Sequence, residues 1–181
     1  MGRDDVAMTY NMLYKRFQSI GIPIFDRHHQ GLADAILLMA ECMTIHSHDS
    51  NDERVVKSFS IVSDHIRSIM FSHFSAEEEF MVFVNYPGYI SHKKRHEKFI
   101  HEFMRMRNII RNEDSSYIYD MFVFLFNWLI NHVNSEDIQL REFFKGQEVV
   151  NFVIANENRW VIPGNKSCVG LTHRVLNMLR R

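Results

Sequence analysis

Apolar residues return at steps of three and four through four long stretches of the chain, separated by short polar breaks, and that period belongs to amphipathic helices. Pro23 and the polar run His46 to Asp52 bracket the first stretch, which aligns Leu32, Ile36, Met39, Ala40 and Met43. Ser50 followed by Glu53 is a capping-box pattern that opens the second, whose stripe of Val55, Val56, Phe59, Val62, Ile66 and Ile69 continues to about Val84 before Pro87 and Gly88 stop it. The third runs from about Tyr89 to Arg111 through Phe99, Phe103, Met106 and Ile110 and ends in the polar loop Asn112 to Ser116. The fourth carries Met121, Phe122, Leu125, Phe126, Leu129 and Val133, more than a narrow stripe, so it is expected to be largely buried, with Gly146 as its stop.

Four long helices joined by short loops predict an all-α fold, an antiparallel up-down four-helix bundle. The bundle and an N-terminal arm take residues 1–148. Residues 149–181 form a C-terminal extension, broken at Pro163 and Gly164, with a short amphipathic helix at Leu171, Val175, Met178 and Leu179. With Arg174, Arg180 and Arg181 that piece could meet a partner or a membrane surface, but packing on the bundle or on a second subunit to form a homodimer is the simpler expectation.

Composition narrows the partners. Lys and Arg number 21 against 22 Asp and Glu, a formal charge of -1, so no global field draws the chain to nucleic acid or an anionic membrane, and a small neutral ligand suits it better. No run approaches the ~18 apolar residues of a membrane span, and Met1 to Ile20 lacks the apolar centre of a secretory signal, so an integral membrane segment is not expected. Cys42 and Cys168 are too few and too far apart for a disulfide framework or a cysteine-based zinc site; as free thiols they point to the cytoplasm. The 11 Met and 15 Phe supply adaptable apolar packing between helices.

The polar residues inside the helical pattern carry the chemistry. His73 and Glu77 share one helix face, as do His92 and His96 on the next helix, where no glutamate lies between the histidines to serve as the base of a zinc protease. His132 and Asp137 are five residues apart, which on a regular helix turns the carboxylate away from the imidazole; a one-residue widening of the helix is expected between them, bringing both inward. Asp26-Arg27-His28-His29 opens the first helix. A single histidine on an apolar face is more often a hydrogen-bonded core residue than a ligand, but so many imidazoles with two carboxylates would leave a crowd of unsatisfied buried groups, each costing about 1–3 kcal/mol. A metal removes that cost. His46, His48, His101 and His173 are expected on the surface, His65 at solvent or in a core hydrogen bond, and Glu78 with Glu79 on a solvated acidic face.

Taken together, Gly21-Ile22 leading to Asp26, His29 and Leu32; His73-Phe74 with Glu77, Glu78 and Met81; Tyr86-Pro87 with His92, His96 and Phe99; and Trp128-Leu129 with His132 and Asp137 resemble the hemerythrin family, in particular its bacterial single-domain members, over roughly Ile20 to Leu140. The resemblance implies two iron ions. His92, His96 and His132 would hold one, His29 and His73 the other, and Glu77, Asp137 and an oxo or hydroxo group would bridge them. At about six ligands per iron this set leaves one position vacant, on the iron held by His29 and His73, and there the family binds O2 reversibly. Leu32, Phe74, Trp128, Leu129 and Val133, one turn from the ligands, would form the dry wall of the O2 pocket, although such a stripe is as often plain core. His28 stands where the family usually has Gln, and Leu140 where it often has an aromatic residue, so hydrogen bonding around the ligands is expected to differ.

The leading expectation is therefore an oxygen-binding protein, not an enzyme, serving storage, delivery or sensing. The same centre could instead reduce peroxide or nitric oxide or repair iron clusters, but no further acid-base residue is evident in the expected pocket. It could also act as a metal-dependent regulatory module through the tail. Affinity order alone does not choose iron over manganese or zinc.

Overall fold

The computed structural model describes residues 18–45, 53–112, 117–145, 153, 155, 156, 159, 160 and 175. Outside the described residues lie the Ser50 cap, His46, His48, Gly146, Pro163, Gly164, Cys168, His173 and all of the C-terminal amphipathic piece except Val175, which is buried. The helices are α1 (Pro23–Ile45), α2 (Glu53–Phe83), α3 (Tyr89–Asn112), α4 (Tyr117–His132) and α5 (Ile138–Phe144). Between α4 and α5 the segment Val133–Asp137 is a π-turn, so α4, the π-turn and α5 run on as the fourth rod of the bundle. Each rod packs on its chain neighbours and the fourth closes against α1, which gives the expected all-α, up-down arrangement.

The ends of α1 and α2 show why the histidines fall where they do. Pro23 occupies the first helical position, where its missing N–H costs nothing. Just ahead of it Gly21 takes φ 78°, and Asp26 reaches back to accept from the Ile20 amide at 2.9 Å and the Ser19 hydroxyl at 2.6 Å. This lead-in is tied to the fourth rod, since Arg141 Nη1 donates to the Ser19 carbonyl at 3.0 Å and the Gln18 amide to Asn134 Oδ1 at 3.2 Å. The first turns of α1, with His28 and His29, are thereby fixed against the π-turn.

The α2–α3 connection is tighter than Pro87 and Gly88 alone suggest. Asn85 adopts φ 53°, its amide donates to the Val82 carbonyl at 3.1 Å, and the Tyr86 amide to the Met81 carbonyl at 2.9 Å. That is a Schellman termination with Asn in the left-handed position. Gly88 then leaves room for Tyr86, whose ring a Cβ at that position would meet at 2.6 Å.

Phe25, Phe59, Phe80 and Phe103 are fully buried, together with Ile36, Met39, Ile66, Ile69 and Met70. Away from the histidines, and among the described residues, the core contains one buried guanidinium, Arg107, whose Nε donates to Ser63 Oγ at 3.2 Å and whose other arm pairs with Asp64. Among the described residues no helix is long and apolar enough to cross a membrane.

Candidate metal centre

Each rod sends polar side chains into one end of this core. His29 comes from α1, His73 and Glu77 from α2, His92 and His96 from α3, His132 from the end of α4, and Asp137 from the end of the π-turn. All seven are between 0% and 3% exposed. The π-turn brings in the last of them: the Ile138 amide donates to the Val133 carbonyl five residues back, and the widened turn sets His132 Nε2 at 3.1 Å from Asp137 Oδ1.

The imidazole nitrogens form two groups. His132 Nε2 lies 3.3 Å from His92 Nε2 and 3.2 Å from His96 Nε2, and on the other side His29 Nε2 lies 3.2 Å from His73 Nε2. Two nitrogens bound side by side to one cation at about 2.1 Å stand about 3 Å apart, so both spacings suit ligation. Asp137 spans the groups, with Oδ2 at 3.1 Å from His29 Nε2 and Oδ1 at 3.4 Å from His92 Nε2. Glu77 Oε2 faces both as well, at 3.3 Å from His92 and His96 and 3.8 Å from His73.

The donor set fits a cation better than it fits itself. Neither oxygen of Glu77 nor of Asp137 has a well-aligned hydrogen-bond donor, although all four are sealed from solvent. Two combinations, Glu77 with His92, His96 and His132, and His73 with Glu77, His132 and Asp137, each bring their ligating atoms within 4.8 Å of one another. Imidazole and carboxylate donors suit first-row transition metals.

Electrostatics describe the same need for positive charge. Burial opposes a charge on His92, but Glu77 and Asp137 outweigh it and hold its pKa up at about 10. Burial wins at His132, pushed down to about 3, and at His73, which also feels His29. Glu77, against its own burial, is held well below the usual carboxylate range by His92 and His96. Asp137 is likewise held low by His132, His29 and His92, against its burial and the nearby Glu77. Without a cation, the carboxylates keep a proton on His92.

Around the ligating atoms stands a layer that the sequence pattern only partly foreshadows. Glu78, expected on a solvated face, accepts from His96 Nδ1 at 3.2 Å and from Lys93 at 2.8 Å, which turns His96 Nε2 toward the cluster. Glu136 is a functional neighbour missing from the sequence-derived set; its Oε2 lies 3.3 Å from His132 Nδ1, and it also pairs with Arg95. The four-residue step from His132 to Glu136 is the local signal that could have found it. Glu79, also expected in solvent, binds the indole of Trp160. His28 turns away from the cluster, its Nε2 donating to the Trp160 carbonyl at 2.8 Å. His101 is exposed and His65 half-buried.

Of the apolar residues expected to wall a pocket, Leu32, Phe74, Leu129 and Val133 are buried in the same core and Trp128 is half-buried. Phe74 stacks on His96 at 3.9 Å between ring centroids and approaches His73 at 5.6 Å; Trp128 stacks on His132 at 4.2 Å. The two aromatic rings thus hold the planes of two imidazoles.

Fold and site together define a helical bundle with a buried histidine–carboxylate cluster suited to cations. The family described as the hemerythrin HHE cation binding domain matches residues 20–143, and the chain belongs to it. A hemerythrin of Themiste dyscrita is 28% identical over 118 residues, covering 65% of this chain and 80% of the relative. One of the hemerythrin subunits of Sipunculus nudus is 24% identical over 116 residues, covering 64% and 79%. A hemerythrin-like protein of Naegleria gruberi is 29% identical over 69 residues, covering 38% and 51%. No solved structure matches at comparable stringency.

Proposed function

We propose that this protein holds two iron ions among His29, His73, Glu77, His92, His96, His132 and Asp137 and binds O2 reversibly there. The observation that carries the reading is Asp137, whose two oxygens face one nitrogen group each, the disposition of a carboxylate shared by two cations. A ferrous pair, with an oxo or hydroxo group as further bridge, would supply two electrons to O2 and recover them on release. His92, His96 and His132 fill one end with three imidazoles; His29 and His73 leave the other end less crowded, and that asymmetry favours a small ligand at the second end.

The chain's own groups orient and protect the centre. Glu78 keeps the His96 proton on Nδ1, and Phe74 and Trp128 hold imidazole planes and exclude water. Leu32, Leu129 and Val133 complete the dry wall in this reading. The protein is then a carrier, store or sensor and not an enzyme, cytoplasmic as its two cysteines, too few and too far apart in sequence for a disulfide framework, suggest, with residues 149–181 an extension to the bundle of residues 1–148 that packs on it or on a partner subunit.

The test is to load the protein with ferrous iron without oxygen, count the metal, and follow the visible spectrum through repeated cycles of air and low oxygen. Two irons per chain and a colour that comes and goes support the reading. Irreversible oxidation on first exposure sinks reversible binding and favours a redox enzyme. His92→Ala should lose iron while His101→Ala keeps it; equal iron in both would sink the ligand assignment.

A further inference from the structure

Among the described residues of the C-terminal extension, Val153, Trp160 and Val175 pack on the core, and Trp160 does so through α1 and α2 at the two-histidine end of the centre. A turn in which the Arg159 amide donates to the Asn156 carbonyl at 2.9 Å presents Trp160, only 4% exposed, to α1 and α2. Four contacts hold it. The Trp160 carbonyl accepts from His28 Nε2 at 2.8 Å, the indole Nε1 donates to Glu79 Oε2 at 3.2 Å, Arg159 pairs with Glu79 at 3.3 Å, and the indole lies on Phe25 at 5.7 Å between centroids.

Both residues beneath Trp160 lead to one imidazole. Phe25 meets the His73 ring edge-on at 6.0 Å and His28 meets it edge-on at 5.7 Å. Grooves of about 470 and 380 Å³ open on either side of Arg159 and Glu79, so solvent stands directly outside this strap.

We infer that Trp160, held by His28 and Glu79, is a wall of the metal centre that closes its His29–His73 end, so that a segment outside the family match governs access to that end. The inference rests on the proposed di-iron reading. His28 is a positioning residue here: it stands outside the proposed ligand set, its Nε2 is engaged by the Trp160 carbonyl, and it fixes the strap beside His73.

The test combines metal release with the state of the strap. Wild type, Trp160→Ala, His28→Ala, His28→Gln and Glu79→Gln are loaded with ferrous iron without oxygen, and removal of each equivalent by a bipyridyl-type chelator is timed. The first equivalent should leave roughly tenfold to a hundredfold faster from Trp160→Ala and His28→Ala, with the second unchanged, and Gln at 28, which keeps a donor, should restore part of the loss. In metal-free Trp128→Phe protein, Trp160 emission should shift to the red with His28→Ala as the indole meets water. Unchanged release of both equivalents, or equal acceleration of both, overturns the strap, as does unmoved Trp160 emission. Wild-type protein that takes up no metal would instead defeat the di-iron reading beneath it.

Discussion

His132 Nε2 and Asp137 Oδ1 lie 3.1 Å apart although five residues separate them along one helical rod. A regular helix would carry the second side chain roughly 140° around the axis from the first, and the π-turn Val133–Asp137 removes that offset. Inserting an alanine after Asn134 should rotate Asp137 by roughly another 100° and abolish metal uptake while far-ultraviolet circular dichroism stays helical. Deleting Asn134 leaves a four-residue step, which an ordinary α-turn keeps on one face, and uptake should survive. Metal counting that gave the reverse order would mean the wide turn does not align the pair.

The helical period and the polar breaks are enough to read four rods and their order, because the apolar stripes of α1 to α3 each face a single core. The π-turn is legible too, since a ligand pair at a five-residue step conflicts with regular geometry. His29 can be preferred to His28 only by its spacing to Leu32, and the structure directs His29 into the cluster and His28 toward Trp160. Glu78 and Trp160 are not readable in these roles. Glu78 meets a histidine on another helix, eighteen residues away, and Trp160 meets His28 across 132 residues; neither relation leaves a local periodic trace.

Glu136 and Glu78 each face the outward nitrogen of an imidazole whose inner nitrogen enters the cluster. Replacing either by Gln keeps the shape but removes the charge that favours the inward-pointing tautomer. Metal affinity, measured by competition with a chelator, should fall roughly tenfold to a hundredfold in each variant. Wild-type affinity in both would assign these carboxylates to surface pairing with Lys93 and Arg95 alone.

The metal-free protein should be most stable near neutral pH. His28, pushed down to about 4 mainly by burial, and His132, at about 3, stay neutral in the fold but protonate near 6.5 when unfolded. The unfolded chain then binds more protons, and stability falls as pH drops from 6.5 toward 4. Glu77 and Asp137, held low, add to that loss as pH falls through the carboxylate range. His92, raised to about 10, has the opposite sign: its contribution is complete below 6.5 and disappears as pH rises toward 10. Urea midpoints at acid, neutral and alkaline pH check the order. Ligation at neutral pH must also displace the proton on His92, so metal loading in weak buffer should acidify the solution.

Two core residues give independent checks on packing. Phe80 is fully buried between Phe25 and Phe144, at 5.7 and 5.1 Å between centroids, and Phe80→Ala should cost about 3–5 kcal/mol in denaturant unfolding. Cys42 is buried on α1, and burial pushes its thiol up to about 12, so an alkylating reagent should label it only after unfolding. Rapid labelling of Cys42 in the native protein would contradict the closed core.

One stretch of α2, His73 to Glu79, faces three directions at once: His73 and Glu77 inward, Glu78 across to α3, and Glu79 out to the strap. Grafting the ligands onto a foreign scaffold would therefore require this seven-residue strip with its original rotation, because a shift by a single position would misdirect every one of those partners together. The strip behaves as a shared key, and a lineage altering it would have to change three neighbouring surfaces in step.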